Sequence, residues 1–271
     1  MLQTINVYKD LTRHLLSVQK PGRYVGGELN QVRKDWKSVK TRFALVFPDI
    51  YDIGLPNLGV MILYELINAR QDALCERAYL PWIDMEKIMR ENRIPLFSLE
   101  SKAPLKAFDI IGFTLPYETL YTNVLNALDL AGIPLRAANR GEDDPLIIAG
   151  GHAAYNPEPM AEFIDAFVIG EGEEVIHEVI DSVQKSREMG KTREDTIASL
   201  ALLDGVYVPS LYSPLYNEDG TFGRLQPIID GIPQTIRKRI CTVLPTPPTR
   251  FLVPSIDVVH NRIAMEIMRG C

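Results

Sequence analysis

"RFALVFPDIYDIG" (42–54) runs through five consecutive apolar side chains, Phe43 to Phe47, meets Pro48, and opens into a polar loop closed by Gly54. A short apolar run without polar alternation, cut by proline, is the pattern of a strand buried on both faces. The residues that follow repeat it. "GVMILYELINA" (59–69) is apolar on nearly every face, as a helix covered on both sides would be, and "ERAYLP" (76–81) is a second strand. A helix around "DMEKIMREN" (84–92) leads to a third strand, "FDIIGFTL" (108–115). Leu120, Val124, Leu125, Leu128 and Ala131 then recur at helical spacing, with Gly132 placed as a C-terminal cap.

"PLIIAGG" (145–151) and "IDAFVIG" (164–170) supply a fourth and a fifth strand. The acidic "EGEE" (171–174 holding Glu171, Glu173 and Glu174) opens another helix, where negative charge is favoured, with Val175, Ile176, Val179, Ile180 and Val183 on one face. Strict alternation of strands and helices predicts an α/β, Rossmann-like domain with a parallel sheet covered on both faces. Its five-stranded parallel sheet spans residues 42–203, flanked by helices.

Outside that block the texture changes. Residues 1–41 combine a short helix, with Leu11, Leu15 and Leu16 on one face, and the glycine- and charge-rich "KPGRYVGGELNQVRKDWK" (20–37), a lead-in that packs on something else. Residues 204–254 hold a hairpin around Asn217-Glu218-Asp219-Gly220 and a proline-rich linker, "LPTPPTRFLVP" (244–254), which marks a boundary. Residues 255–271 begin a further unit with "RIAMEIM" (262–268) and reach Cys271.

Composition excludes some functions. The chain has 271 residues, 46% apolar and 24% charged, and a net charge of −6, which argues against a nucleic-acid surface. No stretch approaches the ~20 apolar residues of a membrane helix, and Asp10 and Arg13 interrupt the N-terminus where a signal peptide would be apolar. The expected location is cytoplasmic. Cys75, Cys241 and Cys271 are far apart and are expected as reduced thiols.

In an open parallel sheet, ligands bind beyond the carboxyl ends of the strands. The loops there are 48–59, 114–119, 150–159 and 170–174, all rich in glycine, proline and small polar residues. None carries a phosphate-loop or dinucleotide glycine pattern. Residues 142–174 hold nine acidic side chains and no Lys or Arg, so a polyphosphate would be repelled there and a bulky, mostly apolar cofactor fits better. A solvated acidic face and plain tight turns are the competing explanations. His152 stands beside the glycine pair as a ligand contact or a capping residue; His177 lies among charged helical neighbours and is expected on the surface, and His14 and His260 lack partners in sequence.

These loops carry a resemblance. The series resembles the cobalamin-binding domain that precedes radical S-adenosylmethionine (radical SAM) enzymes, in which the corrin ring lies on the carboxyl rim and its nucleotide tail enters the core. His-ligating domains of that kind carry Asp-x-His-x-x-Gly in the first loop; Asp49, Tyr51 and Gly54 hold those positions, so tyrosine replaces the cobalt-ligating imidazole. Thr114-Leu115-Pro116 loosely matches a Ser-x-Leu stretch, and Gly150, Gly151 and His152 match the glycine pair after the fourth strand. Glu171 and Gly172 lie in a "GEGE" (170–173) familiar in such relatives.

"KPGRYVGGELN" (20–30) is similar to a stretch in uncharacterised members. "RIAMEIMRGC" (262–271) resembles the first barrel strand, with Cys271 as the first of three thiolates spaced C-x-x-x-C-x-x-C around a 4Fe-4S cluster.

The resemblance implies a full-length iron–sulfur enzyme. Its reduced cluster gives one electron to S-adenosylmethionine, cleaving it to methionine and a 5′-deoxyadenosyl radical that abstracts hydrogen from substrate. Cobalamin is a candidate second cofactor for methyl transfer. The alternative is a Rossmann-like scaffold of a radical SAM protein that has lost cobalamin; a flavodoxin-like nucleotide or flavin binder is disfavoured by the acidic rim. One thiolate holds no cluster, so residues 1–271 alone are expected to be inactive. The partners implied are small-molecule cofactors, with the substrate left open.

Overall fold

The computed structural model describes residues 7–243 and 246–268. Five strands lie parallel in the order β2-β1-β3-β4-β5: β1 (Thr41–Phe47), β2 (Ala73–Tyr79), β3 (Ile110–Thr114), β4 (Leu146–Gly150) and β5 (Ala166–Val168). This is the flavodoxin-like order, with its reversal between β1 and β3. A sixth strand, β6 (Val206–Tyr207), pairs antiparallel with β5 through Phe167↔Tyr207 and Val168↔Val206. Two residues before Pro209 are too few to show a period, which is why the sequence pattern stops at five.

The helices are α1 (Tyr8–Thr12), α2 (Gly22–Val25), α3 (Tyr51–Gly54), α4 (Leu58–Ala69), α5 (Ile83–Asn92), α6 (Tyr121–Leu130), α7 (Val175–Glu188) and α8 (Arg193–Leu200). The strands present alternate residues to two cores. Ala44, Val46, Ile111, Phe113 and Ile147 pack with α5 and α6 through Met85, Met89, Val124 and Leu128. Phe43, Leu45, Ile110, Ile148 and Val168 pack with α4 and α7 through Ile67, Val179 and Val183. Both faces are covered, as the unbroken apolar strands require.

Local signals explain the helix ends. The Asn57 side chain accepts from Val60 N at 3.1 Å to open α4, and Thr192 accepts from Asp195 N at 3.1 Å to open α8. Gly132, at φ 66°, closes α6 while Ile133 N donates to Leu128 O at 3.0 Å.

Two expectations need correction. Leu16 does not share the face of Leu11, because α1 stops at Thr12 and the chain restarts as a tight turn over Leu15–Ser17, leaving Leu16 97% exposed. His177 is half-buried on α7, its pKa lowered by burial and by Arg70. Helix α4 has no exposed residue from Val60 to Asn68, and only Gly59 and Ala69 at its ends are exposed, in keeping with its apolar faces.

The hairpin is formed by β7 (Tyr212–Tyr216) and β8 (Phe222–Pro227), turning through residues 217–221. Leu244 and Pro245 lie outside the described residues, and in the remainder of the proline-rich stretch Pro248 and Leu252 are buried. Leu252 is 5% exposed in the α4 and α7 core, and Val253 bridges to Leu29. Residues 263–268 show a period of two in burial, with Ala264 and Glu266 half-buried and Ile263, Met265 and Ile267 exposed, and no ladder partner among the described residues.

Candidate functional site

Strands β1, β3, β4 and β5 end side by side, which brings the four sequence-derived loops to one rim. Thr114 sits directly beside Gly150 in the ladder, and Gly150 beside Val168. Leu115 N donates to Gly150 O at 2.7 Å and Ala153 N to Leu115 O at 3.0 Å, so the turns after β3 and β4 are stitched together. Thr114, Gly150, Gly151 and His152 therefore form one patch, with Thr114 half-buried and the His152 side chain exposed. Tyr121 pins this patch from α6 by donating its hydroxyl to Ala153 O at 2.9 Å, and Asn123 Nδ2 ties α6 to Pro48 O at 2.9 Å.

The glycines of the rim are used by the chain itself. Gly151 has φ 111°, and a Cβ there would lie 2.6 Å from Leu115 O. Gly170, at φ 109°, faces Arg239 O so closely that a Cβ would lie 2.2 Å away. Gly54 lets Tyr79 and Phe47 close in, at 2.6 and 2.9 Å from where its Cβ would be. All three serve close approach between segments of the same fold.

Tyr51 does not reach the rim. It is 1% exposed, its ring meets Tyr79 edge-on at 5.5 Å, and burial together with the neighbouring Glu28 carboxylate raises its phenol well above the ordinary range. Asp49 caps its own loop by accepting from Ile50 N at 2.7 Å. The residue after Tyr51, Asp52, is 5% exposed and carries the loop's ionic contacts, accepting from Lys20 Nζ at 2.7 Å and Arg23 Nε at 2.6 Å.

Beneath this loop lies a buried ion network that sequence reasoning missed. Arg77 of β2 is 0% exposed and donates to Glu100 at 2.7 Å and to Glu28 at 3.0 Å, with its guanidinium 5.2 Å from the Tyr64 ring. Burial pushes the Glu28 carboxyl up, and the Arg77 charge and hydrogen bonds to the carboxylate together outweigh it to leave a lowered pKa; at Glu100 burial prevails and the pKa is raised. The signal was the pair Glu76-Arg77 inside an otherwise apolar strand. Glu76 accepts from Ser98 Oγ at 2.5 Å, Ser101 Oγ at 2.6 Å and Trp36 Nε1 at 2.9 Å.

Glu171 and Gly172 stand at the entrance to α7, apart from the Thr114 patch in function. Glu171 N donates to Arg239 O at 3.0 Å, its carboxylate accepts from Cys241 N, and Gly172 abuts Leu63 of α4. Arg239 also reaches Glu174 at 3.1 Å and pairs with Glu178. The acidic stretch is thus answered by an arginine 65 positions away from Glu174.

The fit to cobalamin is poor at these residues. Tyr51, where the resembling His-ligating domains carry the imidazole, is a buried phenol near the Glu28 carboxylate, and Gly54 and Gly151 are filled by neighbouring chain. Cys271 lies outside the described residues, and no group of three or more His, Cys, Asp or Glu able to hold a metal occurs among the described ones. No helix among the described residues is long and apolar enough to cross a membrane.

Three comparisons bear on this arrangement. An uncharacterized protein of Methanocaldococcus jannaschii, MJ0966, is 24% identical over 218 residues, which is 76% of this chain and 42% of that protein. The chain therefore spans about two fifths of the curated relative it matches. Among solved structures, the cobalamin-dependent S-adenosylmethionine radical enzyme OxsB, with aqua-cobalamin and S-adenosylmethionine bound, is similar at a TM-score of 0.41 and 14% identity, covering 80% of this chain and 24% of that one. The model of the family described as radical SAM proteins, N-terminal, matches residues 59–209, from the start of α4 to the end of the sheet. With more than half of its length so matched, the chain belongs to the family of radical SAM protein N-terminal regions.

Proposed function

We propose that this chain is the N-terminal α/β module of a radical SAM iron–sulfur enzyme and acts there as a scaffold, without holding a corrinoid through its first loop. The observation that carries this is Tyr51, buried to 1% exposure against Tyr79 and near the Glu28 carboxylate, where the resembling His-ligating domains carry the imidazole. The rim glycines add support, because Gly54 and Gly151 are matched to Tyr79 and to the Leu115 carbonyl. The 4Fe-4S cluster, the cleavage of S-adenosylmethionine and the substrate chemistry belong in this proposal to the full-length protein, with Cys271 as one cluster ligand.

The second proposal, a cobalamin-binding domain that assists methyl transfer, is favoured by the strand order, which reverses between β1 and β3 and leaves a crevice at that rim. Titration of hydroxocobalamin into the purified chain separates the two. The scaffold proposal expects an unchanged visible spectrum at micromolar protein and no co-purified corrinoid. A saturable spectral shift sinks it in favour of cobalamin binding.

A further inference from the structure

Residues 20–34 form a strap that is fastened to the domain at each turn. Lys20 and Arg23 pair with Asp52, Glu28 pairs with Arg77 at 3.0 Å, and the Val25 carbonyl accepts from Lys102 Nζ at 2.8 Å. Val32 N donates to the Tyr64 hydroxyl at 2.9 Å, and Lys34 Nζ donates to three carbonyls at the end of α4.

The strap also meets the end of the proline-rich stretch and the residues just after it. Asn30 Nδ2 donates to Phe251 O at 2.7 Å, and Val253 N donates to Leu29 O at 3.2 Å in an antiparallel bridge. Gly22 lies so near Ile256 that a Cβ on it would sit 2.4 Å from Ile256 Cγ2. Asp52 joins both contacts, taking the strap's cations on its carboxylate and Val259 N on its backbone carbonyl at 3.0 Å. Farther along, Ala264 and Glu266 together with Pro247 and Pro248 close over Leu58 and Ile62 at the start of α4, around a pocket of about 290 Å³.

We propose that the strap is a positioning element: Gly22, Asn30 and Asp52 fix the 251–259 stretch in register, so that 264–266 lies over the start of α4 beside the carboxyl rim. The ionic contacts set the strap on the sheet, and the neutral contacts set the segment on the strap. Gly22 is required for space, since its backbone is not in the left-handed region. Asn30 is in that region, at φ 69°, which asparagine tolerates, and the turn aims its amide at Phe251. The inference rests on the scaffold proposal for its purpose, but the holding contacts stand on their own geometry.

Hydrogen exchange on the 271-residue chain tests it, with Val253 and Val259 as reporter amides and β1 and β3 as the internal standard. Gly22→Ala, which favours the helical backbone of α2, is expected to speed exchange at both reporters about five- to tenfold and leave the sheet unchanged. Asn30→Gly keeps the left-handed turn, removes the amide, and is expected to speed Val253 by a similar factor. Adding Ile256→Ala to Gly22→Ala removes the collision and should return Val253 toward its original rate. Unchanged reporters in both single variants would overturn the proposal, as would acceleration spread equally over β1 and β3. The corrinoid titration gives its answer independently of these rates.

Discussion

Tyr51 is where the residues and the fold part company. Its place in Asp49-Ile50-Tyr51-Asp52-Ile53-Gly54 puts it on the rim by spacing, yet α3 begins at that residue and turns the ring inward onto Tyr79. Restoring the family's imidazole should not restore its ligand. Tyr51→His is expected to show no cobalt–imidazole absorption band with hydroxocobalamin and to unfold at lower urea than the wild type, since the smaller ring leaves a packing defect worth about 1–3 kcal/mol.

Lys102 gives a pH test of the buried network. It is 5% exposed, and burial lowers its pKa to about 8, with Glu100, Glu28 and Glu76 opposing the shift. Below that pH the lysine is charged in both folded and unfolded chains, and the cost of burying the charge is fully present. As pH rises from about 8 toward the unfolded value near 10.4, the unfolded chain binds more protons, so this residue adds stability on the order of 3 kcal/mol over the whole window and about 2 kcal/mol by pH 9.5. Cys75 and Tyr79, both raised by burial, act with the opposite sign. The difference in urea midpoint stability between wild type and Lys102→Met, followed from pH 7 to 9.5, isolates the lysine and should grow with pH.

Elements were legible where their signals were local. The strands ended at prolines and glycines, α6 ended at Gly132, and the hairpin turned at Asn217 to Gly220, all through backbone preferences of the residues on the spot. The end of α4 is different, because its carbonyls are satisfied by a residue far upstream. Lys34 Nζ donates to Asn68 O at 2.7 Å, Arg70 O at 2.5 Å and Ala73 O at 2.8 Å, a cap that joins the strap to the helix and to the start of β2. Lys34→Ala is expected to lower stability by about 1–2 kcal/mol and to loosen the last turn of α4 before the sheet. Amide exchange at Asn68 to Arg70, compared with β1, checks the order.

At the scale of the molecule, the lead-in belongs to the domain it precedes. Removing residues 1–40 strips Glu28 from Arg77, both cations from Asp52, and the cap from α4. Unpairing one buried charge alone costs about 3–5 kcal/mol, against a whole-domain stability of about 5–15 kcal/mol. The truncated chain is therefore expected to lose its cooperative urea transition and its near-ultraviolet dichroism, and a sharp transition at the wild-type midpoint would contradict this.

The alternation of apolar strands with amphipathic helices determined the α/β class and its five parallel strands, because burial on both faces and helical periodicity are written in consecutive residues. The resemblance to the family is also carried by short stretches, Gly150-Gly151-His152 lying within the matched residues 59–209. Only the tertiary structure decided which face Tyr51 takes, that Gly151 and Gly170 serve Leu115 and Arg239, and that Arg77, Asp52 and Gly22 bind distant segments into one body. Those outcomes depend on close approach and charge pairing between residues far apart in the chain, and neither is recorded in local spacing.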